Sequence, residues 1–503
     1  MTDFRRNPRV LIVTPEVAYL PHGMDNVSDY LTATASGLAD VSAALINALF
    51  EQGADVYVSI PDYRSMFNER LPPPLRRELR VSKISVPEER LHLAEDSAFF
   101  YLHGVYSNYW WENRRRALAF QREIINTVIP YVQPDLIHCY DCMTGLIPAM
   151  ARQRGIPCLF TFHNLQTVKC PLSRIEDRGI DAAEFWQHLY FERMPCNYEE
   201  TRESNPVDFL ASGIFAAHFV NTVSPTFLKD VAGGRYGFVP EHVQQELTSK
   251  ISAGCASGIS NAPEPSFNPT IDKCLAVQYG SQNHAEGKKK NKRMLQKRLG
   301  LIQDDRAPLF FWPSPLNTVH QGCQLLADIL YNVVAEYWAE NLEIVFVAGG
   351  DFQKHFKDIV QFHNLGSRIA VCDYNERLSR LAYAASDFVL MASSFEPFGL
   401  PQMIGPTYGS LPVTYDSGGI HDVVLHLDVK NNTGNGFIFE MHNSQGLFGA
   451  IRQAMKFYKL PAQVRQQTVE RIMTQSAGRF NHVVTARRYI ELYENMLQRP
   501  LIN

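Results

Sequence analysis

The chain of 503 residues lacks any long hydrophobic run, any regular cysteine spacing and any marked excess of one charge. The first apolar block, Val10 to Val13, is too short for a signal peptide or a membrane span, so a cytoplasmic protein with no membrane partner is expected. Nine cysteines, at 139, 142, 158, 170, 196, 255, 274, 323 and 372, are odd in number and scattered. That excludes a disulfide scaffold and fits a reducing compartment. With 48 basic against 52 acidic residues the formal net charge is -4, which gives no overall attraction to nucleic acid. Clusters of Asp, Glu, His or Cys at metal-ligand spacing are also missing. The lone C-x-x-C of Cys139 and Cys142 has no second pair and reads as structural. No metal and no resident cofactor are expected.

What is present is apolar content of 45% spread over a length too great for one core, so two domains are expected. Short β-branched and aromatic runs alternate with helical patterns: Val10 to Val13, Val56 to Val58, Leu136 to His138, Leu159 to Phe162 and Phe219 to Val223 in the first half. Leu309 to Trp312, Ile344 to Val347, Ile369 to Val371, Phe388 to Met391 and Leu411 to Val413 repeat the scheme in the second. Such alternation predicts two doubly wound α/β domains. Between Leu38 and Leu49 the apolar spacing of three and four marks one buried helix face, with a start at Ser36-Gly37. A hinge is placed near Asn261. The basic run Lys288 to Arg293 is read as the solvated face of a helix entering the second domain rather than as a nucleic-acid patch. The expected domains are 1–260 and 261–477, followed by an amphipathic C-terminal helix in 478–503.

The most informative segment is Ser393-Ser394-Phe395-Glu396-Pro397-Phe398-Gly399-Leu400-Pro401-Gln402. It sets one carboxylate on a Pro- and Gly-braced turn between a buried strand and a helix, where an α/β protein keeps its chemistry. A lone Glu there can also serve simply as a helix cap. Together with Tyr408-Gly409-Ser410-Leu411-Pro412-Val413 and Ser417-Gly418-Gly419-Ile420, the segment resembles the acidic signature of the glycogen and starch synthases, and the resemblance runs over nearly the whole chain. It implies the GT-B architecture, two Rossmann-like doubly wound domains facing a central cleft, with the C-terminal helix in 478–503 crossing back onto the first. It also implies retaining transfer of glucose from ADP- or UDP-glucose to an α-1,4-glucan.

The same resemblance implies roles for particular residues. Glu396 would support positive charge near the anomeric carbon, and His163, in Phe162-His163-Asn164, would touch the donor glucose. Asp141 would face the sugar or acceptor, although the Trp-His that follows it in the family is Cys142-Met143 here. On the donor side stand Ser36 and Gly37, the hinge Asn261, Gly349 and Gly350 in a tight turn, and Tyr374 beside the base. Gly399, Leu400, Ser417, Gly418 and Gly419 would stand near the phosphates. Read without the resemblance, His163 is a hydrogen-bonded strand-end residue, Tyr374 a half-buried loop tyrosine, and the glycines of 349–350 a packing device.

The chain departs from the family pattern where cations should meet the diphosphate. The Lys of the K-x-G-G-L loop aligns with Thr34, and that loop's first Gly with Ser36. The Arg and Lys of S-R-L-x-x-x-Q-K-G align with Pro315 and Gln321. Three charged hydrogen bonds at 1.5–3 kcal/mol each amount to roughly 5–9 kcal/mol of leaving-group stabilisation. His320 and Lys169 are candidate substitutes, and the chain between Glu16 and Ser36 is longer than the common pattern. The competing expectation is a glucan-binding or regulatory protein of weak or no turnover. A third is a sugar-nucleotide transferase with relaxed donor choice.

Overall fold

Short runs of β-branched and aromatic residues with no polar face are suited to parallel strands covered on both sides. In a computed structural model describing residues 6–24, 31–34, 37–68, 90–102, 104–317 and 321–502, they form two such sheets. The first contains β1 (Arg9–Val13), β2 (Asp55–Pro61), β3 (Leu91–Ala94), β4 (Leu136–Tyr140) and β5 (Cys158–Phe162). A two-stranded antiparallel ribbon, β6 (Lys169–Cys170) with β7 (Val207–Asp208), stands apart from it, and β8 (Phe219–Thr222) and β9 (Ala256–Gly258) complete the main sheet. Its order is β3-β2-β1-β4-β5-β8-β9. The second sheet comprises β10 (Leu309–Trp312), β11 (Glu343–Val347), β12 (Ile369–Cys372), β13 (Phe388–Met391), β14 (Leu411–Tyr415) and β15 (Phe437–Phe439). It runs β12-β11-β10-β13-β14-β15, with every pairing parallel. Both orders reverse direction beside their first strand, at β1/β4 and at β10/β13, as in a Rossmann sheet.

The chain divides into two compact units, Met1–Ser260 with His482–Asn503 and Asn261–Asn481. Every residue of β4, β5, β10, β11 and β13 is buried. Helices cover these strands through apolar stripes at helical spacing. In Gly37–Glu51 the stripe includes Leu38, Val41, Leu45 and Leu49. Side-chain oxygens satisfy several exposed helix starts: Ser224 accepts from the Phe227 amide, Asn375 from Leu378 and Asn443 from Gly446. The helix start expected at Ser36-Gly37 is described only from Gly37, because Ser36 lies outside the described residues.

The basic run differs from expectation. It belongs to the helix His284–Leu299, and Lys289, Lys290 and Arg293 are exposed, but Lys288 and Lys292 are buried. Lys292 Nζ meets Asp387 at 2.6 Å and the Ala307 carbonyl at 2.7 Å. The partner lies far along the chain, so the sequence pattern alone gave the wrong face.

The helix His482–Leu497 belongs to the first unit. It inserts Tyr489 and Tyr493, both fully buried, beside β4 and β8. The Tyr493 hydroxyl is 2.7 Å from His138 Nδ1, and His138 Nε2 is 2.7 Å from Thr161 Oγ1. Asn221 Nδ2 donates to the Tyr489 hydroxyl at 2.9 Å. Burial holds His138 well below the usual imidazole range, so the ring is neutral and needs one donor and one acceptor. Removing one of them strands a buried ring nitrogen. Tyr493→Phe is expected to cost about 1–3 kcal/mol, read as a lower thermal midpoint, whereas Tyr101→Phe at an 83% exposed position should leave the midpoint unchanged.

Candidate functional site

A parallel sheet closed on both faces leaves only its strand ends for chemistry, and order reversal opens a crevice there. In the first unit the chain leaving β4 turns at Asp141, whose φ of 56° and ψ of −178° lie in a region used almost only by glycine. Such backbone costs on the order of 1–3 kcal/mol and persists where the surroundings demand it. Here the demand is visible. The Asp141 amide donates to the Thr161 carbonyl at 3.0 Å. The carboxylate accepts from the His163 amide at 2.7 Å and from Asn164 Nδ2 at 3.3 Å. Burial nevertheless pushes the Asp141 carboxyl up to about 7, with Glu16 adding to the rise.

His163 follows β5 and sits over this turn, its Nδ1 3.7 Å from Asp141 Oδ2. Burial pushes its pKa down to about 3. The ring is therefore neutral, and its closeness to Asp141 is not an ion pair. Both ring nitrogens are buried, and neither has a hydrogen-bond partner among the described residues. A neutral imidazole offers one donor and one acceptor, so the geometry suits a hydroxyl-bearing ligand rather than an anion. Asp141 and His163 are thus brought together as one polar cluster.

Glu16, not singled out in the sequence, joins them. It follows β1, the other strand of the reversal, and is fully buried, with its carbonyl accepting from Ser42 Oγ at 2.7 Å. Tyr106 hydrogen-bonds Glu16, and burial raises the Tyr106 hydroxyl well above its ordinary value. The signal that would have found Glu16 is positional: a carboxylate immediately after the first strand, as Glu396 stands after β13.

In the second unit the turn after β13 carries Glu396. Its carboxyl is raised to about 7, and burial is the cause. The residue retains partial surface exposure while being crowded by protein. A Cβ on Gly399 would come within 3.0 Å of the Glu396 carboxyl carbon and 2.9 Å of Gln402 Oε1. Only glycine leaves room for both groups. Gln402 is fully buried, and neither its Oε1 nor its Nε2 has a partner among the described residues. It stands in the quoted segment yet was assigned no role. Leu400 caps the short helix Pro401–Thr407.

The turn is tied to its neighbours by neutral bonds. Ser393 Oγ donates to Gln321 Oε1 at 3.1 Å, and Ser417 Oγ donates to the Ser393 carbonyl at 3.2 Å. The Gly419 amide donates to the Glu396 carbonyl at 3.1 Å, and the Ile420 amide to Ser417. Two amides expected to serve a phosphate beyond Gly418 are therefore already engaged within the protein. Gly350, at φ +146°, lies so close to Leu316 that a Cβ would meet its carbonyl oxygen at 2.3 Å, so this glycine has a packing role. At Gly349 a Cβ would meet nothing within 4 Å. Tyr374 is 65% exposed. Asn261 is buried with Oδ1 unpartnered among the described residues.

The positions where cations were missing are Thr34 and Pro315, both exposed, and Gln321, half-buried and bonded to Ser393. Of the candidate substitutes, Lys169 is paired with Glu192 at 3.0 Å on the surface, and His320 lies outside the described residues. Cys139 Sγ approaches Cys158 at 3.9 Å, and burial pushes the Cys142 thiol up to about 12.

Two Rossmann-like units with a carboxylate at each order reversal define a glycosyltransferase fold of the GT-B type. Residues 9–246 match the family model of the starch synthase catalytic domain, and residues 325–471 that of glycosyl transferases group 1. The chain belongs to the glycogen and starch synthase family. It is 29% identical over 501 residues to the glycogen synthase of Geobacillus thermodenitrificans, covering 93% of this chain and 96% of the relative. To the glycogen synthase of Bacillus subtilis it is 27% identical over 456 residues, covering 84% and 88%. The catalytic domain of starch synthase IV from Arabidopsis thaliana, solved with ADP and acarbose, superposes with a TM-score of 0.77 at 25% identity over 98% of this chain and 100% of that one.

The raised Asp141 carboxyl gives a signed prediction. Because the folded chain holds this proton above the ordinary carboxyl value of 3.8 and up to about 7, the group's contribution to stability falls as pH rises through that window. Asp141→Asn removes the buried charge. Its thermal midpoint relative to the parent should be more favourable at pH 8.5 than at pH 5.5; equal differences at the two pH values would contradict the assignment.

Proposed function

We propose that the protein transfers glucose, with retention, from ADP- or UDP-glucose to an α-1,4-glucan, at a rate lowered by its neutral phosphate-facing positions. The observation that carries this reading is the Glu396 turn. It sets a carboxylate raised to about 7 by burial against a Gln402 amide with no partner among the described residues, at the order reversal of the second sheet. Glucose offers hydroxyls, and a carboxylate with a neighbouring amide supplies the acceptors and donors to hold them. As the glycosidic bond to the diphosphate stretches, positive charge develops at the anomeric carbon, and an ionised Glu396 stabilises it. His163, held neutral, takes a sugar hydroxyl through its two free ring nitrogens, and Asp141 fixes the loop that presents it. The names of the relatives and the ADP and acarbose bound to the Arabidopsis domain support glucan and nucleotide sugar as the partners.

Leaving-group stabilisation is the weak step. Thr34, Pro315 and Gln321 carry no charge, and the Gln321 side-chain oxygen is already engaged by Ser393. This observation favours the second reading, a glucan-binding protein with little or no turnover. Even half of the roughly 5–9 kcal/mol attributable to three cations would slow transfer by hundreds-fold.

Diphosphate release from ADP-glucose or UDP-glucose with a glucan primer separates the two. Slow release that disappears in Glu396→Gln supports transfer; glucan binding with no release selects the second reading. If neither glucan nor sugar nucleotide binds, both readings fail. Where transfer is present, the double substitution Pro315→Arg with Gln321→Lys is expected to raise the rate about tenfold or more, equivalent to about 1.4 kcal/mol of added transition-state stabilisation. An unchanged rate would show that these positions do not face the leaving group.

A further inference from the structure

The helix His284–Leu299 lays its basic run along a cavity of about 520 Å3. The cavity opens at the amino-terminal ends of the second sheet, beside Phe388 and Leu411, the first residues of β13 and β14. Glu396 lies beyond the opposite end of β13. Six lysines and arginines line the cavity against two carboxylates, Asp305 and Asp387.

Some of this charge has a structural explanation. Lys292 is neutralised by Asp387 at 2.6 Å and Arg293 by Asp305 at 2.7 Å. Lys288 donates to the Tyr408 carbonyl at 2.9 Å and the Ala384 carbonyl at 3.2 Å, closing the end of the helix Glu376–Ala385. Lys289 reaches Glu286 at 3.1 Å on the surface. Arg306 and Arg465 are not accounted for in this way: neither makes an ion pair among the described residues. Arg465, half-buried, packs its guanidinium 4.7 Å from the Tyr458 ring and hydrogen-bonds the Tyr458 side chain, while its Nε is buried without a hydrogen-bond partner among the described residues. A buried charged donor left unsatisfied is costly, and an apolar wall would pack this space at less expense. Phe388, Leu411, Phe457 and Val469 supply apolar surface on the remaining sides. The volume falls in the range of small-molecule sites.

We infer that this cavity binds a small phosphate ester, with Arg465 and Arg306 gripping the phosphate and Tyr458 with its apolar neighbours covering the organic part. The site is separate from the groups assigned to glucose transfer and does not depend on that reading. Bidentate recognition of phosphate is the use to which arginine is best suited.

Calorimetric titration of the full chain with ribose 5-phosphate, ribose and inorganic phosphate at low salt tests it. Saturable binding of ribose 5-phosphate, with no binding of ribose, is expected. Arg465→Gln and Arg306→Glu should each weaken it about tenfold or more, while Glu396→Gln leaves it unchanged. Arg306 is exposed, so its replacement tests the site without disturbing the core. Inorganic phosphate binding as tightly as the ester would overturn the assignment of an organic part. Absence of saturable heat for the ester up to about 10 mM, or full affinity in both arginine variants, would overturn the site itself.

Discussion

A parallel sheet must be covered on both faces, and that constraint decides where this protein can hold polar chemistry. Strands such as Cys158–Phe162 and Phe388–Met391 bury every residue, so the polar groups at their carboxyl ends are carried by the turns that leave them. Each sheet reverses its order once beside its first strand, and each reversal carries a carboxylate raised to about 7 by burial: Asp141 in one unit and Glu396 in the other. Neither has a charged ion-pair partner among the described residues. Groups kept poised in this way are suited to meeting a polyhydroxyl ligand and a developing positive charge.

The main strands and the first long helix were legible because their residues carry the signal locally. Val10 to Val13 and Phe388 to Met391 are uniformly apolar, and Leu38 to Leu49 repeats at helical spacing. Edge strands such as β9 and β15 were not. Ala256–Gly258 has no β-branched side chain and is a strand only through pairing with β8, and Phe437–Phe439 is too short to stand out. Lys288 and Lys292 were placed on the wrong face because what buries them, the Tyr408 carbonyl and Asp387, is remote in sequence. The site was partly legible in the same sense. Glu396, His163 and Asp141 follow recognisable strands, while Glu16 and Gln402 become notable only when burial leaves them among polar neighbours or without partners.

The electrostatic character of the candidate site follows from these details. His163 is neutral through burial, Gln321 is neutral by identity and occupied by Ser393, and Pro315 and Thr34 offer no charge. Hydrogen-bonding groups suited to sugar hydroxyls are retained, and fixed cations suited to a diphosphate are not evident among the described residues. Positive charge in the second unit gathers instead at the amino-terminal ends of its strands, around Arg306 and Arg465. The fold thus sets the Glu396 turn and the basic cavity at opposite ends of one sheet.

The central claim is that this family member grips glucose while holding a diphosphate weakly. Calorimetric titration of ADP into the Arg306→Glu, Arg465→Gln protein, in which the basic cavity is silenced, tests it most directly. The account predicts a dissociation constant at or above about 1 mM, with glucan binding intact. Micromolar ADP binding in that protein would contradict it, because backbone amides and uncharged side chains would then form a full-strength clamp.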